Sequence, residues 1–267
     1  MTHPLPPMPR EFGPVNWIGL WTVYRREVRR FLKVHTQTIL APVITTLLFF
    51  AVFALALGGA QQQIAGKPFL EFLAPGLIVM AIAQNAFANT SSSVIIAKVQ
   101  GNIVDLLMPP LTAGELGVGL VLGGVTRGIV VGLATTAVIA LFTPIHIIDP
   151  SLIVYHGVMA SVMMSLLGVI GAIWSEKFDH IAAVTNFIIT PLTFLSGTFY
   201  SINRLPPTFQ VLARLDPFFY MIDGFRCGFI GTADSDIGVG VVVMLVVTLA
   251  LGWLCHWMIA TGYKLKP

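Results

Sequence analysis

Hydrophobic and polar positions fall along this chain in long blocks rather than at the short periods of a soluble fold. Five blocks of about twenty residues carry no charge: Ile39–Leu57, Phe72–Ala97, Ser151–Trp174, Ile181–Tyr200 and Ile237–Ile259. A sixth, Leu116–Phe142, carries only Arg127. A helix needs about 20 apolar residues to cross the hydrocarbon core of a bilayer. The pattern therefore predicts an all-α polytopic membrane protein with six transmembrane helices, over 36–58, 70–97, 112–142, 151–174, 181–200 and 236–259. Residues 15–267 form one transmembrane domain. The proline-rich start, residues 1–14, has no apolar core and is read as a disordered segment rather than a cleavable signal peptide.

Six crossings put both termini on one side, and the basic residues say which. With that side inside, the inner pieces hold ten Lys and Arg, from Arg10 to Lys266, against four outside: Lys67, Arg204, Arg214 and Arg226. The positive-inside rule makes both termini cytoplasmic. Ahead of the first span, residues 15–35 read as an amphipathic helix in the inner headgroup plane. Trp17, Trp21, Tyr24, Val28 and Phe31 recur at helical spacing, and Arg25, Arg26, Arg29, Arg30 and Lys33 take the other face, against lipid phosphates. Because this basic helix abuts a span, nucleic-acid binding is not expected.

Composition agrees with the pattern. Apolar residues make up 56% of the chain and charged residues 10%, well below the roughly 25% charged of soluble domains. Cys227 and Cys255 are too few for a disulfide framework and fall on opposite sides of the predicted topology.

Four places carry candidate chemistry. Between spans two and three, "KVQGNIVDLLMPPLTAGE" predicts a short amphipathic helix with Ile103, Leu106 and Leu107 on its apolar edge and Asn102 and Asp105 facing elsewhere. Pro109 and Pro110 end it, and Thr112-x-x-Glu115 reads as a capping box opening span three. Two readings stay open here, a tight connector or a knob that docks a soluble partner. Arg127 lies roughly 22 Å along its helix from Thr112. It is expected in the inner half of the core, as either a structural arginine or a functional charge. Gly123, Gly124 and Gly128 beside it permit close helix approach. In span two, Asn85, Asn89 and Ser93 form a polar stripe at i, i+4 and i+8, which serves either as interhelical glue or as the lining of a path.

The fourth place follows span five, where Pro191 predicts a kink. Pro206 and Pro207 open one short helix. Asp216-Pro217 reads as an N-cap with proline at N1, opening a second helix that carries Phe218, Phe219, Phe225 and Phe229. Asp223 and Arg226, three apart, are expected to pair. Residues 203–230 are too apolar for a free loop and too short and charged to span, so they predict an outer re-entrant hairpin, a lid or an outer gate. The gate candidates are Phe199, Tyr200, Arg214, Asp216, Phe219, Asp223 and Arg226.

Two stretches carry a resemblance. "LSGTFYSINRLPPTFQVLARLDPFFYMIDGFR" resembles the C-terminal signature of type 2 ABC transporter permeases. "LAPGLIVMAIAQNAFANTSSSVIIAKVQGNIVDLLMPPLTAGELGVGLVLGGVTRG" is similar to the proteobacterial YadH-like branch, related to Nod-factor export and drug-efflux permeases. The resemblance runs from about Trp17 to Tyr263. It implies a homodimer of permeases in the bacterial inner membrane, served by two copies of a separate cytoplasmic ATPase that binds ATP and Mg. It also implies that Asn102, Asp105, Leu106, Pro109 and Pro110 form the helix that couples to the ATPase. Asn85, Asn89, Ser93 and Arg127 would flank the translocation path between the two copies, and the hairpin would stand near the exit.

No phosphate-cradling G-x-x-x-x-G-K-[ST] occurs in the 267 residues. The nearest stretch, "GAQQQIAGKP", has the wrong spacing and no Ser or Thr after Lys67. The chain is therefore expected to bind no cofactor of its own and not to be an enzyme. The resemblance implies outward transport, and the span faces suggest an amphipathic or lipid-like substrate or drug, with a polysaccharide or lipo-oligosaccharide exporter as the alternative. An ion-coupled transporter is disfavoured because none of the six apolar blocks contains Asp or Glu, and guanidinium does not shuttle protons. A membrane enzyme is disfavoured because the six histidines are scattered. A purely assembly or regulatory subunit stays open.

Overall fold

The computed structural model describes residues 13–57, 63–64 and 66–265. Most of the segment read as a disordered start, and Lys266 from the charge count, lie outside them. Helix α1 (Trp17–Lys33) leads through a π-helical turn, Thr36–Leu40, into α2 (Ala41–Leu57). A two-stranded ribbon, β1 (Gln63–Ile64) and β2 (Lys67–Pro68), precedes α3 (Phe69–Val99). The short α4 (Ile103–Leu107) connects α3 to α5 (Ala113–Ile139), and α6 (Pro150–Trp174) follows. Then come α7 (Phe178–Val184), a second π turn at Thr185–Ile189, and α8 (Thr190–Leu195). The chain closes with α9 (Pro207–Leu215), α10 (Pro217–Ile230) and α11 (Ile237–Thr261). Among the described residues, six helical segments are long and apolar enough to cross a membrane: Thr36–Ala56, α3, α5, α6, Phe178–Leu195 and α11.

Their burial is unequal. α3 is the axis, 83% buried over its most apolar window, against 17% for the first, fifth and sixth spans. It packs against α5, α6 and α10, while α1 lies along α5 and α11 along α6 and α10. Lipid tails give no hydrophobic drive between spans, so close packing of small residues must hold them. Gly168 of α6 meets α3 so closely that a Cβ would stand 2.6 Å from the Phe87 carbonyl oxygen. A Cβ on Gly123 of α5 would run into the Glu27 side chain of α1.

Helix ends follow local chemistry. Thr112 and Glu115 form a full capping box at α5. Asp149 and Asp216 cap α6 and α10, each followed by proline in the first turn. Gly231 and Gly262 end α10 and α11 in the left-handed conformation, at φ 73° and 68°. The fifth span does not run to Tyr200: α8 stops at Leu195, and Gly197 at φ 80° turns the chain. The irregularity expected of Pro191 is a π turn just ahead of it. The same device precedes Pro42 in the first span. Widening the turn relieves the clash of each ring with the carbonyl four residues earlier.

α1 corrects its expected faces. Trp17 and Trp21 are exposed, while Val23, Glu27 and Phe31 are buried, Val23 and Glu27 against glycines of α5. Arg26 and Arg30 do not stand out toward phosphates but turn onto Glu27, because a buried carboxylate must be paired. Packing the axis sets a first prediction. Gly168→Leu forces backbone apart and should cost at least about 1–3 kcal/mol, lowering the unfolding midpoint in detergent. Gly252→Ala, whose added Cβ meets nothing nearer than 4.0 Å, should leave that midpoint unchanged or raise it.

Candidate functional site

Polar contacts join α1 and α5 to one side of α3. Glu27, with no exposed surface, accepts from Arg26 at 2.9 Å and Ser93 at 2.7 Å on one oxygen, and from Arg30 at 3.0 Å on the other. Arg30 continues to the Asn89 carbonyl at 2.6 Å, its side-chain oxygen at 3.2 Å and Ser92 at 3.0 Å. One turn along α3, Arg127 of α5 donates to Asn85 Oδ1 at 3.0 Å, and Asn85 Nδ2 donates to Ala81 O at 3.0 Å. The structure thus brings Asn85, Asn89, Ser93 and Arg127 together along one protein-facing side of α3. Sequence reading missed their organising member, Glu27. Its one signal was that it is the sole acid in a helix of five cations.

On another face of α3 a cleft of about 650 Å³ opens between α2, α3 and the fifth span. Thr45, Thr46, Gln84, Asn85, Ser91 and Ser92 set polar atoms among apolar neighbours such as Phe49, Met80 and Ile189. Of the four path candidates only Asn85 lines it. A cluster of rings joins α2 to the fifth span and the turn beyond it: Phe53 stacks on Phe199 at 4.5 Å, and Phe194 on Phe199 at 5.3 Å.

The gate candidates separate into posts and surface groups. Asp216 accepts from Phe218 N at 3.0 Å and Ser196 Oγ at 2.7 Å. The expected Asp223–Arg226 pair does not form, because distant groups claim both side chains. Asp223 accepts from Asp234 N at 2.8 Å and from Ser235 N and Oγ at 2.9 and 2.6 Å. Burial pushes its carboxyl above the usual carboxylate range, against the pull of those donors. Arg226 points the other way, donating to the carbonyls of Gly197 at 2.7 Å and Thr198 at 3.3 Å, with its guanidinium 3.8 Å over the Phe72 ring. Asp223 and Arg226 therefore tie α10 to two separate loops. Phe219 is buried, Phe199 and Tyr200 are half-buried, and Arg214 is exposed.

At the end of the bundle that holds Asn16 and Lys264, the segments before and after α4 are both fixed. Asn16, the N-cap of α1, donates from its backbone to Glu115 at 2.6 Å and from its side chain to the Pro110 carbonyl at 3.0 Å. Lys98, which sequence reading did not single out, donates to the Ile173 carbonyl at 2.6 Å and to the Ala172 and Ser175 carbonyls, closing the end of α6. Beyond it, the hydrogen bond from Lys264 at 3.2 Å holds the Glu176 carboxyl below its ordinary range. Ile103 and Leu106 are buried, so Leu106 anchors α4 inward. Leu107 does not join that edge. Asn102, Val104, Asp105, Leu107 and Met108 are exposed, Met108 at 78%. Pro109 is half-buried and Pro110 exposed.

Among the described residues no group of three or more His, Cys, Asp and Glu could hold a metal ion. The sequence model for the ABC-2 type transporter family matches residues 19–230. The chain is 37% identical to the inner membrane transport permease YadH of Escherichia coli strain K12, over 94% of this chain and 98% of that protein. It is 23% identical to nodulation protein J of Rhizobium leguminosarum bv. viciae, over 92% of this chain and 91% of that protein. The Neorhizobium galegae protein of the same name is 24% identical, over 92% and 90%.

The buried network yields a second prediction. Glu27→Ala leaves Arg30 against α3 without its counter-charge and should destabilise the protein by roughly 3–5 kcal/mol. Removing both partners in Glu27→Ala/Arg30→Ala should cost less than the sum of the single changes. Thermal unfolding of the four proteins in one detergent measures the coupling.

Proposed function

Because the chain belongs to the ABC-2 type transporter family and is a permease subunit of such a transporter, we propose that it carries an amphipathic or lipid-like substrate or drug outward across the bacterial inner membrane. The work comes from ATP and Mg bound by a separate cytoplasmic ATPase present in two copies. Two permease chains form the membrane unit. The observation that carries this reading is the connector: a short helix whose exit is fixed by the bonds of Asn16 to the Pro110 carbonyl and to Glu115, with Val104, Asp105, Leu107 and Met108 presented outward. A rigid exposed tip of that kind suits a groove on a moving partner. The ATPase pair closes on ATP, the tips are displaced, and the bundle transmits the push through α3 and α5, the helices that α4 joins.

The cleft supports a path shared with the second copy. Two of its walls, α2 and the fifth span, are the most exposed helices beside α3, so an identical chain seated there would enclose it. Its lining is apolar with scattered hydroxyls and amides, as an amphipathic passenger requires. Phe53, Phe194 and Phe199 stack on one another rather than standing apart as sugar platforms, which favours such a passenger over a polysaccharide. The loops tied by Asp223 and Arg226 would set the outer end.

Purification of the tagged chain from its native membrane in mild detergent, with mass spectrometry of proteins and lipids together, tests the assembly. A stoichiometric P-loop ATPase is expected, and a homo-oligomer without one would overturn the mechanism. Met108→Asp and Val104→Asp lie on the exposed tip and should leave the unfolding midpoint near that of the parent. They should lower substrate-stimulated ATPase activity of the complex at least tenfold. Unchanged stimulation in both would remove α4 as the coupling element.

A further inference from the structure

Five cations on α1 divide into two sets with different work. Arg26 and Arg30 are spent on Glu27. Arg25, Arg29 and Lys33 are exposed and make no hydrogen bond or ion pair among the described residues. They stand at i, i+4 and i+8, which on an α-helix makes one row with about 6 Å between successive members. That row forms one wall of a groove of about 840 Å³, whose other wall is the last turns of α3 and the start of α4. Among the described residues, Asp105, at the α4 end, is the one carboxylate in the lining besides the paired Glu27. Three unanswered cations therefore share one wall, with a single unpaired acid at the α4 end of the groove.

The groove is not purely polar. Trp21 lines it on the α1 side, and Ile96 and Ala97 line it on the α3 side. Trp21 is 58% exposed, with Trp17 at 70% beside it. Exposed tryptophans on a helix that runs into a span mark the depth of lipid headgroups. The groove also reaches Val34, where α1 ends and the first span begins. Whatever occupies it meets cations at one side and hydrocarbon at the other.

We infer that the α1–α3 groove is a binding site for an anionic lipid headgroup of the inner leaflet. Arg25, Arg29 and Lys33 hold its phosphate groups, and the acyl chains lie toward Trp21 and the first span. The row separates this role from structural pairing: Arg26 and Arg30 keep α1 on α3, and the outer row engages the lipid. The inference rests on the inner-membrane permease topology but not on ATPase coupling. Its test reads binding, so its failure and a failure of the transport reading are separable.

Delipidated full-length protein in detergent is titrated with phosphatidylglycerol, and with phosphatidylcholine as the zwitterionic control. Bound lipid is counted by native mass spectrometry. Each basic residue near an anionic headgroup contributes on the order of fivefold in affinity. The triple variant Arg25→Gln/Arg29→Gln/Lys33→Gln should thus bind phosphatidylglycerol at least tenfold more weakly, with phosphatidylcholine binding unaltered. Arg25→Lys/Arg29→Lys should retain binding, and Lys177→Gln, a single exposed cation elsewhere, should not alter it. The site is overturned if the triple variant binds phosphatidylglycerol as the parent does, or if the two lipids bind alike. Competition by glycerol phosphate as strong as by the lipid would assign the groove to a free anion instead. A triple variant that keeps the lipid but loses a co-purifying protein would assign it to an acidic partner surface.

Discussion

A carboxylate with no exposed surface, placed beside membrane-spanning helices, has to be answered inside the protein, and much of this structure follows from how Glu27 is answered. Its two oxygens take Arg26, Arg30 and Ser93, and Arg30 passes the connection to Asn89 and Ser92. That single group fixes α1 against α3. Gly123 lets α5 close from the other side, because any side chain there would occupy the space of Glu27. A buried ion pair of this kind gives little net stability over an apolar replacement, but breaking it is costly. It works as a register lock, placing α1 at one height and one rotation on the bundle. The row of Arg25, Arg29 and Lys33, and the contact of Asn16 with Glu115, both depend on that placement.

The rest of the bundle is graded outward from α3. Helices in contact with it through glycine, serine and alanine are largely buried, and α10 is drawn in among them by Asp216, Asp223 and Arg226. The first and fifth spans are held far more loosely, and both begin irregularly, with a π turn ahead of a proline. Sparse packing and interrupted backbone pairing lower the cost of local rearrangement. These two spans form the walls of the cleft, so loosely packed, irregular helices border that space.

Much of this was legible in the residues, and what was not has a common cause. The apolar blocks, the Thr112–Glu115 box and the Asp216-Pro217 cap are local patterns, decided by residues within a few positions of one another. Glu27 was hidden because among five cations it reads as part of a solvated face. Its partners on α3 lie more than sixty residues away. The Asp223–Arg226 pairing failed for the same reason: spacing alone put them on one face, but loops at Gly197 and Asp234 supply better-placed partners for each. Leu107 was placed on the apolar edge of α4 by periodicity, yet a five-residue helix has room to bury only Ile103 and Leu106. Asn85, Asn89 and Ser93 were recognised as a stripe, but a stripe does not say which neighbour it faces.

That last point bears on the chemistry of the path. A polar stripe in a span has two possible consumers, protein and passenger, and here protein takes most of it. Asn89 and Ser93 are committed to Arg30 and Glu27, and Asn85 already accepts from Arg127. What remains for the cleft is Gln84, part of Asn85 and the hydroxyl of Ser91, with Thr45 and Thr46 opposite, since Ser92 is taken by Arg30 and the Asn89 carbonyl. Among the described residues no charged side chain lines it. A passenger there would find dispersed, neutral hydrogen-bonding groups in an apolar wall, with none of the fixed charges that would hold an ion or a free sugar phosphate. The cations stand instead outside the cleft, on α1. On the reading proposed above, neutral, amphipathic recognition would fall between the spans and anionic recognition at the membrane surface, with Glu27 and Arg30 between them.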